Sequence, residues 1–228
     1  KWAAMAITEP EAGSDAAAIK TSAKRDGNDW VINGSKIFIT NAGTDITACV
    51  TITALTGEDE VSNIVVPNGT PGYEISAPMR KMGWRASDTR ELSFRDCAVP
   101  EANLLGPRGQ GFHQFLEILD GGRISVAAMG VGLAQGAYDL AFAYARERTQ
   151  FGKPIGRFQA IAFKLADMAV EIEAGRQLVW KAAWLKDRGR PFALEAAFTG
   201  FGHITRGDPV EVGYVFMKFV EAVFVFPV

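Results

Sequence analysis

A chain of 228 residues is long enough to bury a core without disulfide or metal staples, and its formal net charge of -2 lacks the basic excess that binding a phosphate backbone demands, which excludes general nucleic-acid recognition. The two cysteines, Cys49 and Cys97, follow no C-x-x-C spacing and read as buried thiols in a reducing compartment. With two histidines, His113 and His203, neither a zinc centre nor a Ser-His-Asp triad is expected, and neither a signal peptide nor an apolar run long enough to span a membrane is read.

The apolar run Trp2 to Ile7 reads as a strand that ends at Thr8, because Pro10 cannot donate to a sheet ladder. The polar stretch behind it holds Gly13, where a ligand can approach the backbone, and Ser14 and Asp15, which can hydrogen-bond a ligand or their own main chain. Alternating apolar positions predict strands over 19–25 and 30–39, broken by Asp26-Gly27-Asn28 and Asn33-Gly34, both hairpin signals. Residues 48–55, 63–67, 73–77 and 90–94 read as further strands, punctuated by Gly69, Pro71-Gly72 and Pro78. Many short strands at this spacing predict an all-β barrel or sandwich over residues 1 to about 100.

Pro100 to Pro107 reads as a linker, after which the period changes. Phe112, Phe115, Leu116 and Leu119 follow the spacing of one helix face, a long helix is predicted from Arg123 to about Glu147, and another from Phe158 to Asp187, ended by Gly189 and Pro191. Gly130, Gly132 and Gly136 interrupt the long helix, each costing about 1 kcal/mol relative to Ala, so close packing against a neighbour is the expected compensation. From 196 onward Phe, Val and Gly crowd together and no clean helical or strand period survives; Val223 to Val228 would be sticky if exposed.

Five ordered motifs carry a resemblance: I-T-E-P-E-A-G-S-D from Ile7, I-F-I-T-N from Ile37, K-M-G-W-R-A-S-D-T from Lys81, L-D-G-G-R from Leu119 and R-E-R-T-Q-F-G-K-P-I from Arg146. Together they resemble the acyl-CoA dehydrogenase family over about residues 1 to 195. The resemblance implies an α+β fold in which an antiparallel β-barrel (1–105) is followed by part of an up-down helical bundle (106–195), with 196–228 a divergent tail. It implies FAD as cofactor, an acyl-CoA thioester as substrate, electron-transferring flavoprotein as acceptor, a homo-oligomer, and a bacterial cytoplasmic or mitochondrial matrix location.

Carried over by residue, Ile7 and Thr8 match positions that contact the flavin ring, and Gly13 and Ser14 match the turn near the pyrophosphate and the CoA moiety. Phe38, Ile39 and Thr40 match the family's W-I-T, with Phe38 in place of Trp; on pattern alone Phe38 reads as strand core ahead of a flavin contact. Ser87 matches a substrate-contact serine, though Ser87-Asp88-Thr89 also reads as a simple turn. Asp120 and Arg123 match a pair that meets the adenosine and pantetheine of CoA, while Arg123 also reads as a solvated charge at a helix start. Arg148, Gln150 and Phe151 match a segment that crosses to the neighbouring subunit's FAD, and Phe158 and Gln159 match a further FAD contact. Arg146, Lys153 and Arg157 add a basic cluster, which also reads as wet surface.

The reaction implied is α,β-dehydrogenation: a carboxylate removes the α-proton as the β-hydrogen leaves to the flavin, with donors aimed at the thioester oxygen. The catalytic glutamate is not identified. One family position for it falls on Gly122; the other, in a late Y-E-G-T loop, falls by spacing on Phe224, with Glu221 nearby as a surface carboxylate. The expectation is therefore an incomplete or inactive form of the enzyme, with a frameshift or splice near 196 as its origin. The alternatives are an acyl-CoA oxidase that passes electrons to oxygen and a non-catalytic binding or assembly module that kept the fold.

Overall fold

In the computed structural model, residues 1–201 are described, with side chains through Phe198. They form two compact units, one of residues 1–116 and a second beginning at 117.

The first unit is a mixed sheet. Its strands are β1 (Trp2–Ala6), β2 (Ser22–Asp26), β3 (Asp29–Thr40), β4 (Thr47–Gly57), β5 (Glu60–Pro67), β6 (Tyr73–Ile75), β7 (Thr89–Pro100) and β8 (Leu104–Leu105). The path of hydrogen-bonded neighbours runs β6-β7-β3-β2-β4-β5-β8, and β1 adds to β4. Most pairings are antiparallel as expected, but β1 runs parallel to β4 and Ser22, the first residue of β2, makes a parallel pairing with Leu55 of β4. Inward-facing Ile32, Val50, Ile52, Ile64, Val66 and Leu92 are fully buried, each contributing about 1.5–3 kcal/mol by leaving water. β1 inserts the small residues Ala4 and Ala6 into this layer.

Of the two expected hairpins, one forms. Asp26 and Asp29 pair across Gly27-Asn28, with Gly27 at φ +59, and join β2 to β3. Asn33-Gly34 is no hairpin; it lies inside β3 at an irregularity opposite β7. There Asn33 Nδ2 donates to Asp96 Oδ1 at 3.1 Å and Asn33 Oδ1 accepts from the Asp96 amide at 2.9 Å. Tertiary pairing with β7 thus uses the turn-prone Asn-Gly as a bulge.

The stretch expected as a linker also pairs. Glu101–Asn103 is a 3-10 turn, and β8 extends the sheet along β5. The helix after it, α1 (Gly111–Glu147), is continuous rather than split before Arg123, because Gly121-Gly122 keeps helical geometry. Its first turn belongs to the sheet unit: Asn63 Nδ2 donates to the Gly111 carbonyl at 3.2 Å and to Gln114 Oε1 at 2.7 Å. Cys97 is buried as expected and Cys49 is half-buried; both thiols are free.

In the second unit α1 meets α2 (Gln159–Asp187) in antiparallel fashion. Ile124 packs with Val179 and Ala182, and Arg176 Nη2 donates to Gln135 Oε1 at 2.6 Å. A Cβ on Gly175 would stand 3.4 Å from Val131, an ordinary van der Waals contact, so α1 and α2 lie close there without the glycine being required. The glycines Gly130, Gly132 and Gly136 of α1 have no neighbour within 4 Å of an added Cβ, so close packing is not their compensation among the described residues. A third helix, α3 (Ala193–Phe201), occupies residues expected to lack a period; its Ala196 is fully buried against α2, and its alanines favour helix once that contact exists. Among the described residues α1 alone is long and apolar enough to cross a membrane, a run the sequence reading passed over; Ile124, Ala127 and Val131 direct part of that apolar surface into the cluster with α2 and α3.

Gly34 sits at φ +148 with Thr21 backbone 2.7 Å from where a Cβ would be. Gly34→Ala is expected to lower the unfolding free energy by about 2 kcal/mol or more, read from urea denaturation.

Candidate active-site edge and helical contact residues

The Ile7-to-Asp15 segment is held by a buried ion pair. β1 ends at Ala6, two residues earlier than expected, because the next residues turn to serve β3. Lys36, in the middle of β3, is fully buried; its Nζ donates to Glu9 Oε1 at 2.8 Å, to the Ile7 carbonyl at 3.0 Å and to Thr53 Oγ1 at 2.9 Å. Glu9, 6% exposed, also accepts from the Lys20 amide at 2.6 Å and the Thr21 amide at 3.1 Å. All three ammonium protons and both carboxylate oxygens are therefore used. Burial pushes the Lys36 ammonium down to about 8, against the pull of Glu9. Burial also opposes ionisation of Glu9, but the donors from Lys36, Thr21 and Lys20 outweigh it and hold the carboxyl below its ordinary 4.5.

Immediately beyond Lys36 the ladder slips. Lys36 pairs with Leu92 and Ile39 with Arg90, so Ile37 and Phe38 together oppose Glu91. This bulge frees the Ile37 amide, which donates to the Thr8 carbonyl at 2.9 Å. It also puts Phe38 at φ +61, a backbone state that costs a non-glycine residue about 1–3 kcal/mol, and turns its ring outward, 63% exposed. The reading of Phe38 as strand core is thereby corrected. Ile39 is buried beneath the edge and Thr40 is exposed upon it. The two segments expected at a flavin, Ile7-Thr8 and Phe38 to Thr40, are thus joined by a direct hydrogen bond.

Two more expected segments lie in the same unit. The amide and carbonyl of Glu9 and Ala12 pair around Pro10-Glu11, leaving Gly13 and Ser14 exposed. Gly13 is not at positive φ; an added Cβ there would meet nothing within 4 Å, so openness rather than backbone freedom is what it supplies. Ser87 does form a turn, its amide donating to the Trp84 carbonyl at 3.1 Å. That turn is tied to the end of β3, since the Asp88 carbonyl accepts from the Asn41 amide and Asp88 Oδ2 accepts from the Gly43 amide, both at 3.0 Å. Ser87 is therefore brought next to the Phe38-to-Thr40 edge.

The remaining candidates belong to the helical unit. Arg123 lies inside α1, not at a helix start, and its Nη1 donates to Asp120 Oδ1 at 2.5 Å across one turn. Arg148 follows α1, and Gln150 pairs with Lys153 in a two-residue hairpin whose turn is Phe151 (φ +50) and Gly152 (φ +77). Phe151 is 92% exposed and meets Phe158 edge-on, centroids 6.1 Å apart. Phe158 caps α2 and Gln159 begins it. Arg146 and Arg157 line a recess with Phe142 and Pro154 beside this hairpin. Of the positions considered for the base, Gly122 is an exposed helical residue, and Glu221 and Phe224 lie outside the described residues.

Each unit holds groups that suit part of a flavin dinucleotide: in the first an outward aromatic face beside two hydroxyls suits a flat heteroaromatic ring, and in the second exposed arginines suit phosphates. Glu9 lies inside the first motif and Lys36 immediately before the second, and the resemblance assigns neither a role. The alternation Trp30, Ile32, Gly34, Lys36 places Lys36 on the inward face of β3, and an inward lysine demands a partner; that was the available signal.

Two family descriptions match the chain: acyl-CoA dehydrogenase, middle domain, over residues 4–97, and acyl-CoA dehydrogenase, C-terminal domain, over residues 109–200. The chain belongs to the acyl-CoA dehydrogenase family, an enzyme family. It is 55% identical over 197 residues to "Probable acyl-CoA dehydrogenase YngJ" of Bacillus subtilis, covering 84% of this chain and 51% of that protein. It is 49% identical over 200 residues to "Acryloyl-CoA reductase (NADH)" of Anaerotignum propionicum, covering 85% of this chain and 50% of that protein. Butyryl-CoA dehydrogenase from Megasphaera elsdenii superposes with a TM-score of 0.89 at 39% identity, over 97% of this chain and 57% of that one. The chain spans about half the length of the curated relatives it matches.

Removing one partner of a buried pair leaves the other charge stranded, so Lys36→Met is expected to cost about 3–5 kcal/mol in urea unfolding, most of it recovered in Glu9→Gln/Lys36→Met. A carboxyl held below 4.5 in the folded state contributes stability that is present above that value and lost as pH falls through the folded pKa. The unfolding free energy should therefore drop on acidification below about 4.5, and less steeply in Glu9→Gln.

Proposed function

We propose that this chain forms the flavin- and CoA-binding part of an FAD-dependent acyl-CoA dehydrogenase that converts acyl-CoA thioesters to trans-2-enoyl-CoA. The observation that carries this reading is the bulge that joins Thr8 to Ile37 and turns Phe38 outward. Residues 1–105 then hold the ring and substrate, and residues 106–195 the coenzyme contacts.

In this reading Phe38 packs flat on the isoalloxazine, Ile7 and Ile39 back it, and the hydroxyls of Thr8 and Thr40 bond its polar edge. Gly13 leaves room for the pyrophosphate, and Ser14 and Ser87 bond the thioester tail. Asp120 and Arg123 meet the adenosine and pantetheine of CoA. Arg148, Gln150 and Phe151 reach a neighbouring subunit's FAD, with Phe158 and Gln159 beside them. The exposure of Phe151 supports an outward reach, and exposed Val126, Leu133 and Leu140 on α1 support a homo-oligomer. FAD supplies hydride acceptance; the electrons pass on to electron-transferring flavoprotein, in the bacterial cytoplasm or mitochondrial matrix.

The base is the weak member of this set. Gly122 occupies one family position for it, and an added Cβ there meets nothing within 4 Å, so a longer side chain is tolerated. In this reading the described residues bind cofactor and substrate but carry no base at the Gly122 position.

The test is anaerobic titration of the FAD-loaded chain with acyl-CoAs of several lengths, and with enoyl-CoA plus reductant because one relative is named a reductase. Bound acyl-CoA is expected to perturb the flavin spectrum while bleaching stays slow. Gly122→Glu should speed bleaching by at least about 100-fold, the typical worth of a positioned base. Absence of FAD binding and of any spectral response would sink the reading, and fast peroxide formation on admitting oxygen would favour an oxidase.

A further inference from the structure

We propose that Glu9 and Lys36 are a positioning pair: one buried ion pair holds the Ile7-Thr8 turn against the Phe38 bulge and so sets the flavin-facing edge. This rests on the flavin reading above. Neither side chain is exposed enough to touch a ligand, so neither is a catalytic residue.

The argument is one of connectivity. Lys36 Nζ reaches back to the Ile7 carbonyl, across to Thr53 of β4 and onto Glu9, while Glu9 gathers the amides of Lys20 and Thr21. Four chain segments meet on one ammonium–carboxylate contact. Two of them are those that carry Thr8 and Phe38. The buried apolar residues Trp30, Ile32 and Ile39 already favour one register of β3, since a slip by one residue turns the inward face outward. Slippage would move Lys36 toward the outer face and strand Glu9 without its ammonium, so the charge pairing penalises every register but one. An apolar pair of equal volume would pack the same space without this penalty. The Ile37 amide bond to the Thr8 carbonyl is the direct reporter of the correct register.

Two readouts on the full chain test this: amide hydrogen exchange at Ile37, with the centre of β4 as internal reference, and FAD affinity from fluorescence titration. In Lys36→Met, Ile37 exchange is expected to accelerate at least about tenfold more than the β4 amides, and the FAD Kd to rise at least about tenfold, the order of one charge-assisted hydrogen bond. Thr53→Val, which removes only the far anchor of Lys36, should shift both readouts in the same direction by a smaller factor, and it decides the matter should Lys36→Met fail to fold. In Glu9→Gln/Lys36→Met, stability returns but Ile37 protection and FAD affinity do not. Equal acceleration at Ile37 and β4, or wild-type FAD affinity in the folded variants, would overturn the proposal. If the unaltered chain binds no FAD, the flavin reading fails by itself, and the Ile37 exchange ratio alone accepts or rejects the positioning pair.

Discussion

A lysine ammonium at the bottom of a β-sheet is expensive to desolvate, and this one is tolerated because every proton it carries has an acceptor. The Lys36–Glu9 contact cannot be relaxed piecemeal: moving either segment strands a charge where water cannot reach it. The ordering of the Ile7-to-Glu9 turn, the start of β2 and the middle of β3 all follow from it. So does the placement of the bulge, which begins at the first residue after Lys36.

Around this pair the sheet divides its labour. The inward layer of Ile32, Ile52, Ile64 and Leu92 supplies the stability, and the edge at Phe38 spends some of it on a strained backbone. Phe151 repeats the pattern in the helical unit, an aromatic residue at positive φ on a tight turn with nearly all its surface exposed. With Trp84 (φ +55, 58% exposed), the described residues hold three solvent-facing aromatics in left-handed conformations, which is not what packing alone selects. They are consistent with rings held ready for contact with something outside the chain.

Much of the fold was legible in the sequence because short-range physics decides it. The period-2 alternation around Trp30 and Ile32 reports a strand, Gly27-Asn28 a tight turn, and the Ile161, Met168, Ile172, Val179 spacing a helix whose inward face is what the structure buries. The misreadings share one cause. Asn33-Gly34 has turn chemistry but is captured by pairing with β7, and Pro100 to Pro107 has linker composition but finds a free edge on β5. In both cases a long-range strand partner overrides a local preference worth about 1 kcal/mol.

The sequence by itself determined the strand-then-helix order, the motifs that mark the family, and the residue types assembled at the edge, since these are properties of composition and spacing. Only the tertiary structure decided that β1 and β2 lie parallel to β4, that Glu9 meets Lys36 across 27 positions of chain, and that Phe38 faces outward rather than into the core. The physical reason is that a charge pair or a bulge is a relation between distant segments. Its energy exists only once both are buried together, and no local pattern in either segment encodes the other's position.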